Sequence, residues 1–306
     1  MTRGRRLCWI SHVFFLFLVS SVGASEFVML TDYGHSAKSI ALGNIHGSEL
    51  SASALFENPA FLYGVSSFSA SFFQTKFASG EHPLHSSAVA VRTDFGVFAF
   101  GFSELRINDL NYTVTNNQNE YRVDHTFSVK NGMYSAAYQF SLSSSLSLAS
   151  VLNYYHHDLY KDTGKGINFD GGVVFHRKDA ALALHVQNSF TPLKIYYANA
   201  AENFSTQITL AAQKQFSPFT FFGQIKMPGI GKPYLKSVGV HARFPFISAF
   251  SIQAGWKELY IVNAAHNTLS AGFSIELNPL HVHIAYERSE YREKDNQFYG
   301  SISLIF

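Results

Sequence analysis

The sequence predicts an all-β fold: a 14-stranded antiparallel transmembrane β-barrel. Three observations carry that reading. The 306 residues include 30 Phe and 16 Tyr, a composition rich in strand formers. From Val65 onward the chain breaks into fourteen segments of alternating character, each about the 9 to 11 residues a tilted strand needs to cross a bilayer, or slightly longer. The last of them, Gln297 to Phe306, puts Phe298, Ile302, Leu304 and Phe306 on one face and Tyr299, Ser301 and Ser303 on the other.

The amino terminus has the three parts of a secretory signal. Arg3, Arg5 and Arg6 precede an apolar core from Val13 to Val19, and Val22-Gly23-Ala24 offers a small-residue cleavage site, so residues 1–24 are expected to direct export and be removed. The apolar run is far shorter than the roughly 20 residues of a spanning helix. Cys8, the one cysteine, lies inside this segment, which leaves the rest of the chain without disulfides or thiolate ligands. Mean hydropathy is +0.02 and no later apolar run is long enough for a transmembrane helix, so a helical membrane protein is excluded. A net charge of +2 without a basic stripe gives no reason to expect nucleic acid.

Residues 25–64 are small, weakly alternating and helix-tolerant, unlike the rest; residues 65–306 are expected to form the barrel. The strand segments are Val65 to Phe77, Leu84 to Thr93, Phe95 to Ile107, Phe127 to Phe140, Ser144 to His157, Gly166 to His176 and Asp179 to Ser189. The second half continues with Phe204 to Gln215, Ser217 to Met227, Tyr234 to Phe244, Ser248 to Leu259, Asn267 to Leu277, Leu280 to Glu290 and Gln297 to Phe306. Connections after even-numbered segments are tight and those after odd-numbered ones long, Asn108 to Thr126 the longest, as periplasmic turns and extracellular loops are. Parity agrees: Leu182, Leu184 and Val186 oppose His185 and Gln187, and Leu269, Phe273 and Leu277 oppose Ser270 and Ser274. Tyr154, Tyr155, Tyr196, Tyr197 and Tyr260 near strand ends suit an aromatic girdle.

Two stretches carry a family resemblance. Ser36-Ala37-Lys38-Ser39 with Gly43, followed by Ser53-Ala54-Leu55-Phe56-Glu57-Asn58-Pro59-Ala60, resembles the amino-terminal region of FadL-type outer-membrane transporters and their PorV/PorQ-like relatives. Asn168 to Phe175 and Ala183 to Asn188 are similar to PorV-type strands, while Phe61 stands where those proteins usually carry glycine. The resemblance implies that residues 25–64 fold into the lumen as a short amino-terminal hatch segment of a barrel in the outer membrane of a Gram-negative cell, with Gly43, Asn58, Pro59 and Ala60 in gating positions. It implies passive transport of small hydrophobic, fatty-acid-like molecules, or alternatively a PorV-like accessory role with a secretion-system partner. Outer-membrane lipid and the barrel-assembly machinery are then expected partners, and Phe306, Leu304 and Ile302 the assembly signal.

The inward faces carry Arg92, Asp170, His185, His241, Arg243, His281, His283 and Glu287. Hydrogen-bonded pairs that solvate the lumen and hold the hatch account for them; a selective polar pathway is the sharper alternative. His281 and His283 share a strand face and would ligate a metal given a third group. None is evident in the sequence, and no metal or cofactor is expected. His85 and Ser87 have the spacing of outer-membrane phospholipases, but no accompanying Asn is identifiable, and no enzyme is expected.

Overall fold

The structure is a computed structural model that describes residues 30–77, 83–115, 120–189, 193–198, 201–229, 232–244, 246–247, 249–261, 264–290 and 296–306. The expected signal sequence lies outside them. Fourteen antiparallel strands close a barrel. They are β1 (Phe68–Phe77), β2 (Leu84–Thr93), β3 (Gly96–Thr115), β4 (Tyr121–Ser143), β5 (Leu146–Leu159), β6 (Asp162–Arg177) and β7 (Ala180–Gln187). After a small hairpin of β8 (Leu193–Tyr196) and β9 (Ala201–Phe204) follow β10 (Gln207–Phe216), β11 (Phe219–Pro228), β12 (Leu235–Arg243), β13 (Phe250–Ile261), β14 (Ala264–Leu277), β15 (Leu280–Ser289) and β16 (Gln297–Ile305). The first and last strands zip together from Ser69 opposite Ile305 to Phe77 opposite Gln297, which leaves the barrel without a free edge.

The period-two pattern sets which side meets lipid. On β16 Phe298 is 63% exposed and Ser303 1%, the assignment read from the sequence. Phe306 closes the seam: its carbonyl accepts from the Ser67 amide at 2.9 Å and from the Ser66 and Ser67 hydroxyls.

Three expected long loops are mostly strand. β3 and β4 pair across most of the 108–126 stretch, with bulges between Ile107 and Leu110 and between Tyr112 and Thr113. Two residues, Tyr160 and Lys161, separate β5 from β6, and β13 continues to Ile261 opposite Ala264. Backbone amides and carbonyls that leave the membrane wall gain partners by continuing the ladder, so these hairpins lengthen before they turn. Five of the connections at the other end are two residues long, as at Lys178-Asp179 and Asn278-Pro279, while six residues separate Arg243 from Phe250. Val65, expected in the first strand, instead caps a 3-10 turn of Pro59–Gly64, its amide donating to Leu62 at 3.0 Å. Tyr155 is a second correction: it is 3% exposed and faces the lumen, because adjacent strand residues cannot both face lipid.

Inside the barrel, residues 30–64 form a 3-10 turn (Leu30–Tyr33), two short helices, α1 (Ala37–Ala41) and α2 (Ala54–Glu57), and the Pro59–Gly64 turn. Ser36 caps α1 from an extended conformation, its hydroxyl accepting from the Lys38 amide at 3.2 Å. A segment this irregular is tolerated at membrane depth because protein encloses it.

Candidate functional site: a hatch across a two-sided lumen

The hatch crosses the lumen, with α1 against β13 to β16 and the Pro59–Gly64 turn against β3 to β6. Wall side chains replace the water its backbone would otherwise need. Gln224 on β11 accepts from the His46 amide at 2.9 Å and donates to the Asn44 carbonyl at 3.1 Å. Ser270 donates to the Ala41 carbonyl at 3.1 Å, and Ser301 accepts from the Ala37 amide at 3.2 Å. Arg92 on β2 donates to the Tyr63 and Val65 carbonyls, both at 2.6 Å, and pins the end of the hatch. Hydrogen bonds from a charged donor are each worth about 1.5–3 kcal/mol.

Gly43 has φ +87° and lies against β13, where a Cβ would meet the Trp256 carbonyl oxygen at 2.7 Å. Asn58 is extended, with φ −147° and ψ 105°; its Oδ1 accepts from the Ala60 amide at 3.1 Å, and its Nδ2 donates to the Leu184 carbonyl at 3.4 Å. Pro59 opens the 3-10 turn and Ala60 is fully buried. Gly172 on β6 makes this docking possible, since any side chain there would overlap Asn58 Oδ1. Phe61 covers Gly47, which has φ +78° and no space for a Cβ beneath the ring.

The lumen is two-sided. On the β2 to β7 wall, Ala88, Ala99, Met133, Ala137, Val151 and Val174 join Leu55, Phe56, Phe61 and Leu62 of the hatch in one apolar cluster. The cluster reaches Ile195 and Phe204 of the β8–β9 hairpin, which packs over Gly164 on the inner face of β6. On the β10 to β15 wall most inward residues are polar: Gln224, Lys226, Gln253, Ser270, His283 and Glu287 are all buried.

The remaining lumen residues fall into separate groups. Asp170 accepts from Asn153 Nδ2 at 2.7 Å, Asn168 Nδ2 at 3.1 Å and the Asn188 amide at 2.9 Å. His185 is buried with its ring 6.4 Å from that of His46 in the hatch. Glu287 accepts from Lys257 at 2.6 Å. Arg243 sits half-exposed at the tight-turn end and donates to Glu276 at 2.5 Å; Glu276 also accepts from Lys38 of the hatch at 2.6 Å. His241 is buried beside this pair. His281 and His283 lie under α1, their ring centroids 6.3 Å apart. Burial pushes Glu57, in the hatch, up to about 7 against the bonds it accepts from Ser39 and from the Gly47 amide, the latter at 2.9 Å. Burial also opposes charge on Glu49, yet His283 and Lys38 beside it hold that carboxyl below the usual range.

Outside the barrel, His85 and Ser87 are on the outward side of β2, with His85 Nε2 4.0 Å from Glu104 Oε1.

The sequence matches no family model and none of the curated proteins. Solved structures do match. A Pseudomonas aeruginosa FadL homologue is similar with TM-score 0.61 and 11% identity, over 89% of this chain and 98% of its own. The monoaromatic hydrocarbon channel CymD matches with TM-score 0.59 and 13% identity, over 89% and 98%. The Pseudomonas putida toluene transporter TodX gives TM-score 0.58 and 11% identity, over 89% and 99%. At such low identity the likeness concerns the fold, and it extends over nearly all of each neighbour: this chain folds as a FadL-type barrel.

Proposed function

We propose that the chain is an outer-membrane channel for passive passage of small hydrophobic molecules, with the hatch as its gate. The observation that carries this reading is the apolar cluster, which runs from the hatch to the β8–β9 hairpin. A hydrophobic solute moving along that wall keeps apolar neighbours, whereas the β10 to β15 wall would force it against buried polar groups. The neighbours with this fold include proteins described as a monoaromatic hydrocarbon channel and a toluene transporter, which supports the same solute class. No catalytic step is part of the proposal.

The test is uptake of toluene by vesicles reconstituted with the folded protein. Ala137→Asp, which places a carboxylate in the cluster, is expected to cut the flux roughly tenfold or more. Equal flux in both proteins would refute the apolar route.

One feature favours a second reading as an accessory protein. The β3–β4 hairpin extends well past its neighbours and ends on exposed residues, Tyr121 at 81% and Val123 at 53%. Deleting residues 110–127 would then abolish partner capture while leaving uptake intact.

A further inference from the structure

His281 and His283 lacked a third partner on their own strand, and the hatch supplies one. Glu49, thirteen residues beyond the α1 cap, brings its carboxylate to the same point: its ligand atom and one from each imidazole all lie within 4.8 Å of one another. Among the described residues no other group of three His, Cys, Asp or Glu donors meets in this way. Glu49 is 2% exposed and His283 1%, while His281 is half-buried and leaves an open side.

We propose that Glu49, His281 and His283 form a binding site for a divalent transition cation of the zinc class, which clamps the hatch to β15.

The surrounding bonds orient the ligands. Ser36 donates to Glu49 Oε2 at 2.7 Å, which leaves Oε1 to face the histidines. His283 Nδ1 is 2.6 Å from Ser274 Oγ on β14. When that nitrogen donates its hydrogen to the hydroxyl, Nε2 presents a lone pair, and what it faces is Glu49 Oε1 at 3.4 Å. In that tautomer neither atom offers the other a hydrogen, and both are shut off from solvent. Two acceptors turned toward each other in a buried site need a proton or a cation between them. Their separation is close to the edge of a tetrahedral zinc site, about 3.3 Å for metal–ligand bonds near 2.05 Å. Two imidazoles and one carboxylate suit zinc or cobalt and leave a fourth position for water on the His281 side. Lys38 opposes a cation here only in part, because its charge is shared with Glu276 at 2.6 Å. Ser274 acts as the outer partner that fixes the imidazole of His283.

A cation bound here would add a direct link between the hatch and β15 to the Lys38–Glu276 pair and the hydrogen bonds that already hold the hatch, and so raise the cost of withdrawing it. The proposal does not depend on what the barrel carries.

The test titrates cobalt into the full chain, folded in detergent, and reads the visible bands of tetrahedral cobalt, with zinc added afterwards as competitor. One cobalt per chain, displaced by zinc, is expected. The bands should vanish in Glu49→Gln and His283→Gln, and Ser274→Ala should weaken binding by roughly ten- to a hundredfold. Heat-modifiable migration checks that each variant is folded; should either buried-ligand variant fail that check, His281→Ala at the half-exposed ligand must still weaken binding. Absence of tetrahedral bands in the unaltered protein would overturn the site. Unchanged cobalt affinity in the folded variants would overturn it equally, by placing the metal on other histidines.

Discussion

The backbone amide of Ala37 donates to the hydroxyl of Ser301 at 3.2 Å, so the first helix of the hatch is held by the last strand of the barrel. That strand closes the wall through its backbone ladder with β1 and grips the hatch through its inner face. Closure of the barrel and seating of the hatch are therefore a single structural event, with consequences for how each part responds to change.

On the outward face of β16, Ile302 is 47% exposed beside Phe298 and Leu304. Ile302→Arg is expected to cost about 2–4 kcal/mol if the residue lies near the midplane, and less toward an interface. Urea unfolding of the protein in lipid vesicles measures it; Ser303→Arg, on the inner side, would instead disturb the hatch.

Gly172 and Gly223 make a matched pair of substitutions. Gly172→Ala collides with Asn58 Oδ1 and crowds Ala60, whose Cβ lies 3.3 Å from the new atom; Gly223 has nothing within 4 Å. The first should destabilise by about 1–3 kcal/mol through overpacking. The second should be neutral or slightly stabilising, up to about 1 kcal/mol, because alanine restricts the unfolded chain. Thermal unfolding in detergent distinguishes them.

The fold was legible where the chemistry is local. Period two in Leu84 to Thr93 gave the bounds of β2, and Phe298 to Phe306 announced their lipid face without help from distant residues. The upper parts of β3 and β4 read as loop in the sequence because Asn108, Asp109 and Asn111 look like turn residues; across the hairpin Asn111 pairs with Thr126, while Asn108 and Asp109 form the bulge before the ladder resumes at Leu110. The same limit hid the hatch contacts. Gly172 in a strand is a bare weakness until Asn58 is seen against it, and Glu49 joins His281 and His283 across more than 230 positions of sequence. Arg243 shares the inward parity but sits at the rim, where parity gives no depth.

Lys257 and Glu287 form a mostly buried ion pair at 2.6 Å between β13 and β15. Lys257→Met alone leaves a carboxylate without its partner and should cost about 3–5 kcal/mol. Adding Glu287→Gln should recover much of the loss, a coupling that a double-mutant cycle in urea measures.

Glu57 confers a pH dependence of defined sign. Its folded value near 7 lies above the ordinary 4.5, so the folded state holds the proton more tightly than the unfolded one. The stabilisation is fully present below about pH 4.5 and is lost as pH rises through 7. The loss is on the order of 3 kcal/mol. Hydrogen exchange at the hatch amides should quicken across that window beyond its intrinsic pH dependence, and Glu57→Gln should remove the excess.

Whether solute passes only when the hatch moves is tested most directly by a reversible lock. Ser51 in the hatch and Ser71 on β1 have their hydroxyl oxygens 3.2 Å apart, close enough for the isosteric pair Ser51→Cys/Ser71→Cys to form a disulfide with slight adjustment. Cys8 lies in the expected signal segment, so the pair meets no competing thiol in the barrel. The measurement is toluene uptake by vesicles holding this variant, oxidised and then reduced. A gated hydrophobic channel predicts uptake at the level of protein-free vesicles when oxidised, and recovery on reduction. Equal uptake in both states, or none above protein-free vesicles in either, would contradict it.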